Sequence, residues 1–378
     1  MSPMTPMERI ETAIRLGRPD RVPVVPIIDF FAARYGGITQ HDMFFDLAKA
    51  DLALEKTLRD LGPIDGQNLT YAGLGRIMQV IFPTPPQLPG VGDVPPDGQF
   101  QFVERSVMGS EEYKRMAESN PLRLLMENIT KYHAEFRGPL GMARAFRIII
   151  SDTLKMRGSI KRWLRKGVVS TVAYNITFTP MEYISLFLRS LNDFVLDIFR
   201  HPEELKAAAR ALMKPMIMQG MLMIRLSGVR AVFLGGNRTS ATFLNPSQFE
   251  EFALPEWLEM SEHFARRGIT VFLHLDSDWT PFLTYFKDFP RGKCVLCLDG
   301  TSDIFQAKEV LGDHMCIMGD VPASLLKLGE PEEVDEYCHR LITEIGSDGG
   351  FILSSGCTVP PDAKPENVKA MLQSVHKG

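Results

Sequence analysis

The second half of the chain alternates short apolar segments with longer amphipathic ones, and this alternation restricts the fold more than any other feature. The short segments are predicted as strands at 168–175, 229–235, 270–276, 293–299, 315–320 and 351–355. Helical patterns lie between them, at 181–223 and from the Asn245 cap to Gly268, for example. Buried strands that alternate with helices form a parallel sheet, and this many units in series favour a closed barrel. We therefore predict an α/β fold, the (β/α)8 TIM barrel.

The N-terminal residues predict a helix that leads into a first strand. Thr5, Pro6 and Glu8 form a capping box with proline at the first helical position, and the helix should end near Gly17. Residues 21–29 are predicted as the first barrel strand. Residues 38–165 show no clear periodicity, and the proline-rich stretch 83–96 predicts a long loop or an irregular hairpin. We expect residues 1–378 to form one domain, a barrel with an N-terminal helical extension.

Composition and charge exclude several classes of protein. Hydrophobic residues make up 45% of the chain and charged residues 23%, which is typical of a packed globular protein. The net charge of −4 gives no reason to expect nucleic acid as a partner. Neither an uninterrupted apolar span nor a signal peptide is recognisable, so no membrane association or secretion is expected. The five cysteines, all after residue 290, do not suggest a disulfide framework. These features predict a cytoplasmic protein with reduced thiols.

Polar side chains recur where the predicted strands end. They are Asp29, Asn175, Asn237, His274, Asp276, Asp299, Asp320 and Cys357. Active sites of TIM barrels lie at the C-terminal face, so these side chains are predicted to meet there. His274 and Asp276 are two residues apart on one strand, so both can point into the barrel mouth.

The end of the chain resembles the closing motif of the uroporphyrinogen decarboxylase superfamily. The resemblance is carried by FILSSGCTVPPDAKPEN at 351–367, by GDVP at 319–322 and by RPDRVPV at 18–24. It is specific over roughly residues 225–372 and weak over 38–165. The resemblance implies a (β/α)8 barrel, and the superfamily includes both porphyrin decarboxylases and zinc-dependent corrinoid methyltransferases.

Three positions distinguish these two groups of relatives. The decarboxylases carry Arg-Gln-Ala-Gly-Arg-Tyr after the first strand, whereas this chain has FFAARY at 30–35, in which only Arg34 remains. Residues 65–74 do not show the decarboxylases' catalytic aspartate motif. Their Gly-His in the closing motif is Gly356-Cys357 here, and a cysteine at this place is a zinc ligand in the methyltransferases. The resemblance thus favours a methyltransferase over a decarboxylase of a polyanionic tetrapyrrole.

The resemblance also implies a set of zinc ligands. The methyltransferases supply two ligands from a His-x-Cys motif on an earlier strand, and the matching residues here are His274-Leu275-Asp276. Histidine, carboxylate and thiolate all bind zinc, and three protein ligands leave the open position that catalytic zinc needs. The implied ligands are His274, Asp276 and Cys357. The alternative is that His274 is a hydrogen-bonded barrel histidine and Asp276 an acid at a strand end.

The function implied by the resemblance is methyl transfer in a corrinoid-dependent O-demethylase system. A methoxylated aromatic would give its methyl group to the cobalt of a corrinoid on a separate corrinoid protein, with zinc as Lewis acid. His274 and Asp276 are the expected catalytic residues. The expected substrate-binding residues are Phe30, Phe31, Arg34, Asn175, Asn237, Asp299 and Asp320.

Two alternative functions remain open. One is a decarboxylase of a smaller carboxylated substrate, with Asp276 or His274 as proton donor and Arg34 as carboxylate anchor. The other is a non-catalytic barrel that binds a corrinoid or tetrapyrrole protein. The oligomeric state also stays open, a homodimer included.

Other conspicuous residues are interpreted as structural. Cys294 and Cys297 should face opposite sides of a strand, so they are expected to be core thiols. His314 and Cys316 lie where a strand begins, far from the expected site. The basic segment 144–166, with eight basic residues and only Asp152 as an acid, is interpreted as a solvated face or a docking surface for an acidic partner.

Overall fold

The computed structural model describes residues 3–133 and 136–376, and its strands form a closed parallel barrel. The strands are β1 Gly66–Leu69, β2 Val169–Ala173, β3 Ile176–Phe178, β4 Ala231–Gly236, β5 Thr270–Leu275, β6 Cys294–Leu298, β7 Cys316–Val321 and β8 Phe351–Ser355. β3 to β8 pair in sequence order, and β1 pairs with β2. β2 and β3 are one strand interrupted at Ala173, whose φ of 58° is left-handed.

The barrel closes through residues 24–27, which form no regular strand. Val24 and Ile27 make isolated parallel bridges to β8 and to Thr358 just beyond it, while the Val24 and Pro26 carbonyls accept bonds from β1 amides. The prediction of a regular strand over 21–29 was therefore wrong in its extent. Pro23 and Pro26 lack amide protons and so cannot donate to a ladder, and Asp29 already begins a helix. With this segment, and with β2 and β3 counted as one strand, the described chain has the eight strand positions of the predicted barrel.

The helices alternate with the strands as predicted. Their bounds are α1 Pro6–Ile14, α2 Asp29–Gly36, α3 Gln40–Phe45, α4 Leu47–Leu61, α5 Gly75–Ile81, α6 Glu112–Glu118, α7 Pro121–Tyr132, α8 Gly138–Arg165, α9 Pro180–Tyr183, α10 Leu191–Arg200, α11 Pro202–Ser227, α12 Pro246–Gln248, α13 Leu254–Ala265, α14 Ile304–Leu311, α15 Ala323–Leu328, α16 Pro331–Arg340 and α17 Pro365–Gln373. The capping box at Thr5 and Glu8 is confirmed. No helix within 3–133 and 136–376 is both long and apolar enough to cross a membrane.

Residues 70–168 form a long excursion between β1 and β2, and they include most of the segment 38–165, for which the sequence showed no clear periodicity. α5 to α8 lie in this excursion, together with an irregular stretch at 82–111. Gln87 and Gln101 form an isolated antiparallel bridge in that stretch, which confirms the irregular hairpin. The excursion matters for function because several of its side chains line the cavity described below.

Three of the cysteines are buried core residues. Cys294 packs outside the barrel strands with the helices, whereas Cys297 packs inside the barrel with Phe233 and Met318. The two thiols thus lie on opposite faces of β6, as predicted. Cys316 lies at the start of β7 and is buried.

Candidate functional site

Three potential metal ligands converge at the C-terminal ends of β5 and β8. His274 is the fifth residue of β5, Asp276 follows that strand, and Cys357 follows β8. The His274 Nε2 atom lies 3.2 Å from an Asp276 carboxylate oxygen and 3.7 Å from the Cys357 Sγ atom. One ligand atom from each residue lies within 4.8 Å of those of the other two. The i, i+2 spacing on β5 therefore places both side chains at one end of the barrel, as predicted.

The charges at this cluster favour a cation. Burial by itself would lower the pKa of His274, but the Asp276 carboxylate and the Cys357 thiol raise it well above its ordinary value. For Asp276 the directions are reversed: burial by itself would raise the pKa of its carboxyl, but His274 and the Asn237 amide lower this pKa below its ordinary value. The field that stabilises an imidazolium at this point would also stabilise a bound metal cation.

The donor set fits zinc in both chemistry and spacing. Tetrahedral zinc with Zn–N near 2.0 Å and Zn–S near 2.3 Å places neighbouring ligand atoms about 3.3–3.6 Å apart. The distances of 3.2 Å and 3.7 Å observed here lie close to those values. The ring of Phe233 packs against the imidazole with centroids 4.7 Å apart, which fixes the plane of His274. A small movement of the side chains would satisfy a zinc ion with three protein ligands.

The loop after β4 brings Asn237 to the same cluster. The Asn237 side-chain amide lies 3.5 Å from an Asp276 carboxylate oxygen. Gly235 and Gly236 precede it because there is no room for a Cβ: one would meet Phe178 at 2.8 Å and the other Trp257 at 2.8 Å. The glycine pair therefore reflects close packing of the strand end against its neighbours.

A buried carboxylate that sequence inspection missed holds this loop. Glu182 is fully buried and accepts hydrogen bonds from the backbone amides of Asn237, Arg238 and Thr239, at 3.0, 3.0 and 2.8 Å. The Thr239 hydroxyl donates a fourth bond of 2.7 Å. Burial raises the pKa of Glu182, and these donors act against the shift. The sequence feature that could have indicated its role is that Glu182 is the one acidic residue within the apolar run 167–188.

The metal-ligand cluster lies at the end of a large apolar cavity of about 610 Å³. Its walls come from β-strand ends, α5, α7, α8, α11 and the irregular stretch before α6. Aromatic rings form a continuous wall in which neighbouring centroids lie 4.8–5.7 Å apart: Tyr71, Phe82, Phe100, Phe102, Phe178, Tyr183 and Phe187. Among the described lining residues there is no lysine, arginine or glutamate.

The two phenylalanines expected to line the site lie behind the wall. Phe30 is buried and packs on Tyr71 and Phe100, with centroids 4.9 and 5.6 Å away. Phe31 packs on Tyr35 of the same helix. Arg34 is exposed and does not line the cavity. These residues begin a helix instead of ending a strand, and none of the three is among the described lining residues of the cavity.

Asn175 also lies outside the cavity. Its side-chain amide donates to the carbonyls of Val229 and Ala231, at 3.1 and 2.8 Å, and so joins β2–β3 to the start of β4. Asp29, another strand-end candidate, is buried beneath the loop after β1. It accepts bonds from the Thr70 hydroxyl and the Tyr71 amide, and so positions the Tyr71 ring in the cavity wall.

Two further predicted residues bind neighbouring segments and do not line the cavity. Asp299 accepts from the Ser277 amide at 2.9 Å and from the Thr301 amide at 2.8 Å, so it joins the loops after β5 and β6. Asp320 lies within β7 and accepts a 2.7 Å bond from the Tyr337 hydroxyl, and burial raises its pKa to about 6. The structure thus brings together His274, Asp276, Cys357 and Asn237 and places the other candidates elsewhere.

The basic segment forms most of α8 and divides into two parts. Near its C-terminus, Arg162 pairs with Asp51, and Lys166 lies 2.7 Å from Glu55, so this part is bound to α4. Arg144 and Arg147, nearer the N-terminus, are exposed and border a depression that also contains Arg76. Val80 and Phe136 line both this depression and the apolar cavity, so the two arginines flank the cavity.

Comparison with known proteins identifies the family. The model of the uroporphyrinogen decarboxylase (URO-D) family matches residues 178–378, which include every residue of the metal-ligand cluster. This chain belongs to the uroporphyrinogen decarboxylase family. It is 23% identical over 347 residues to the uroporphyrinogen decarboxylase of Pseudoalteromonas translucida, covering 87% of this chain and 83% of that one. The enzyme of the same name from Methylococcus capsulatus is 33% identical over 87 residues, about a quarter of each chain.

A solved structure matches the whole fold. The chain superimposes on a methyltransferase from Methanosarcina mazei with a TM-score of 0.68 over 99% of both chains, at 16% sequence identity. At this identity the likeness shows a shared fold and no more. It confirms the predicted TIM-barrel architecture.

Proposed function

We propose that this protein is a methyltransferase of a corrinoid-dependent demethylation system. It would move a methyl group from a methoxylated aromatic to the cobalt of a corrinoid held by a separate protein. One observation carries the proposal: His274, Asp276 and Cys357 meet at the end of an apolar, aromatic-walled cavity. A thiolate-containing donor set that fits zinc, facing a site for an apolar ring, suits methyl transfer better than decarboxylation.

The lining of the cavity argues against a decarboxylase of carboxylated substrates. A buried carboxylate needs a cationic or hydrogen-bonding partner, because desolvation strongly disfavours an unpaired charge. No arginine or lysine is found among the described lining residues, and Arg34, the expected anchor, is exposed and lies outside the cavity. We therefore expect the substrate of this chain to differ from the one that the name of the relatives denotes.

Each part of the site has a role in the proposed reaction. The aromatic wall would hold the donor ring and exclude water, so that the methyl carbon faces the incoming cobalt in line with the C–O bond. His274, Asp276 and Cys357 would hold zinc, which supplies Lewis acidity at the departing oxygen. The corrinoid, brought as a co-substrate by its own protein, would supply the electron pair that accepts the methyl group, and the phenolate would leave with the electron pair of the broken C–O bond and take a proton from water. Asn237 would orient the Asp276 carboxylate.

The carboxylate at position 276 predicts the kind of methyl transfer. A carboxylate donates less charge to zinc than a thiolate does, so the metal should stabilise a departing phenolate better than it activates a bound thiol. We expect zinc-loaded protein to release a phenol from an aryl methyl ether in the presence of cob(I)alamin. Asp276→Cys should lower this rate by about tenfold or more and raise methylation of thiols. Product chromatography measures both. A wild-type protein that methylates a thiol from methylcobalamin but leaves methoxybenzenes unchanged would refute the assignment.

The basic residues beside the cavity predict how the corrinoid protein docks. Arg144→Glu with Arg147→Glu should reduce turnover with an acidic corrinoid protein by about tenfold at low ionic strength and flatten its salt dependence, because salt screens steering between opposite charges. Turnover with free cob(I)alamin should stay unchanged. Lys287→Glu with Lys369→Glu is the matched control, since both lysines are exposed and lie outside the cavity lining. Equal rates for the two double variants would show that this segment is an ordinary solvated face with no role in docking.

A further inference from the structure

We propose that the methyl donor is an uncharged, apolar aryl ether larger than a single ring. The nature of the bond that is broken rests on the proposed function. The charge and size of the ligand rest on the cavity alone, so they can be tested by binding without any methyl transfer.

The charge of the ligand follows from the ionisable groups that face the cavity. Within the described lining, His274, Asp276 and Cys357 form one cluster at the end, and tyrosines are the other ionisable groups. The remaining polar groups are neutral, such as Gln99, Gln101 and Gln219. Away from the cluster, a carboxylate or phosphate on the donor would be desolvated with no lysine or arginine of the described lining beside it, and an ammonium group would find the one carboxylate of that lining engaged with His274. A neutral donor avoids both costs.

The size of the ligand follows from the volume. A cavity of roughly 150 Å³ in a protein interior is large enough to hold benzene. The cavity here, at about 610 Å³, is several times larger and falls in the range of about 300–1,000 Å³ typical of sites for drug-sized ligands. A single methoxybenzene would leave much of the aromatic wall in contact with water. A donor with two or more rings would cover it.

The opening of the cavity is apolar as well. Phe102, Leu122, Phe146 and Leu222 line the cavity and are themselves 44–56% exposed. Large apolar side chains exposed together mark a surface that receives an apolar ligand or partner. An apolar path therefore runs from the surface to His274, along which a neutral ring system meets no charged barrier among the described lining residues.

The test is a comparison of three ligands on the purified full-length chain. The probes are 2-methoxynaphthalene, its carboxylated analogue 6-methoxy-2-naphthoate, and methoxybenzene, with binding followed by naphthalene fluorescence and calorimetry. We expect the neutral two-ring ether to bind at least about tenfold more tightly than either of the others, because it buries more apolar area without an unpaired charge. Equal or tighter binding of the naphthoate overturns the charge assignment. Equal affinity of methoxybenzene, or no binding of the two-ring ether, overturns the size assignment.

A charge placed in the lining shows that binding occurs in this cavity. Gln101 lines the cavity and is exposed, so Gln101→Arg should fold and should raise the affinity for the naphthoate by about fivefold or more. Gln306→Arg on α14 makes the same change in net charge outside the lining and should have no effect. If both variants respond alike, the ligand binds elsewhere and the proposal fails.

The two proposals can fail separately. If the two-ring ether binds with the expected preferences but zinc-loaded protein with cob(I)alamin forms no naphthol, the proposed function fails and the cavity assignment stands. If the protein demethylates only single-ring methoxybenzoates, the proposed function stands and this inference is refuted.

Discussion

Cys357→Ala and His274→Ala should each abolish tight zinc binding while the barrel remains folded. Both residues lie at strand ends in the cluster, and each offers one of the three ligand atoms. Groups that only support a metal ligand already cost 10–100-fold in affinity when removed, so loss of a ligand should cost about 100-fold or more. Cys357 is only partly buried, so its replacement by alanine should leave a minor packing defect. Titration against a chromogenic chelator measures the affinity, and circular dichroism checks the fold.

The control for the thiol is Cys338→Ala. Cys338 is buried in α16, away from the cluster, so this variant removes a thiol without removing an expected ligand. It should keep one zinc per chain. If Cys357→Ala and His274→Ala both retain full zinc, then His274 is a hydrogen-bonded barrel histidine and Asp276 its partner, which is the alternative left open by the sequence.

Glu182→Ala should destabilise the protein more than removal of any exposed acid. The carboxylate accepts three backbone amides and one hydroxyl from residues 237–239. Truncation leaves these donors without their partner and creates a cavity, so we expect a loss of about 3 kcal/mol or more in the free energy of unfolding. Zinc affinity should also fall by about tenfold, because Asn237 and its contact with Asp276 lose their support. Denaturant unfolding and zinc titration give the two values.

Glu104→Ala provides the matched control for Glu182. Glu104 contacts the same loop, with a carboxylate oxygen 3.2 Å from the Arg238 guanidinium, but its side chain is 44% exposed. An exposed ion pair contributes about 1 kcal/mol or less, so this variant should unfold close to wild type and keep its zinc. Similar stability losses for the two variants would show that burial of Glu182 is not what holds the loop.

The barrel could be predicted because runs of apolar residues in the sequence mark its buried strands. β4 to β8 are mostly apolar and almost wholly buried on both faces, and helices with a 3.6-residue period separate them, so their positions follow from local patterns. The first segment of the barrel is not a regular strand because the prolines at 23 and 26 have no amide proton to donate to a neighbouring strand. The break at Ala173 could not be predicted either. Alanine rarely adopts a left-handed φ, and no residue near it in the sequence indicates a break.

The three candidate metal ligands could also be named from the sequence, although as a set they came from the family resemblance. His274 and Asp276 share one face of a strand by their spacing alone, and Cys357 follows the last strand within a recognisable motif. Strand ends of a parallel barrel meet at one face whatever the loops do. Asn175 and Asp299 show the limit of that rule, because each follows or ends a strand and yet turns its side chain towards neighbouring backbone.

The sequence by itself therefore determined the barrel, because periodicity is a local property, and the resemblance to a known family implied the set His274, Asp276 and Cys357. The tertiary structure alone decided the walls of the cavity and the support of its loop. Phe100 and Phe102 lie in an irregular stretch with no period, and Glu182 acts on residues 55–57 positions away. Such contacts depend on how distant segments pack, and packing minimises buried unpaired polar groups and exposed apolar area over the whole chain at once.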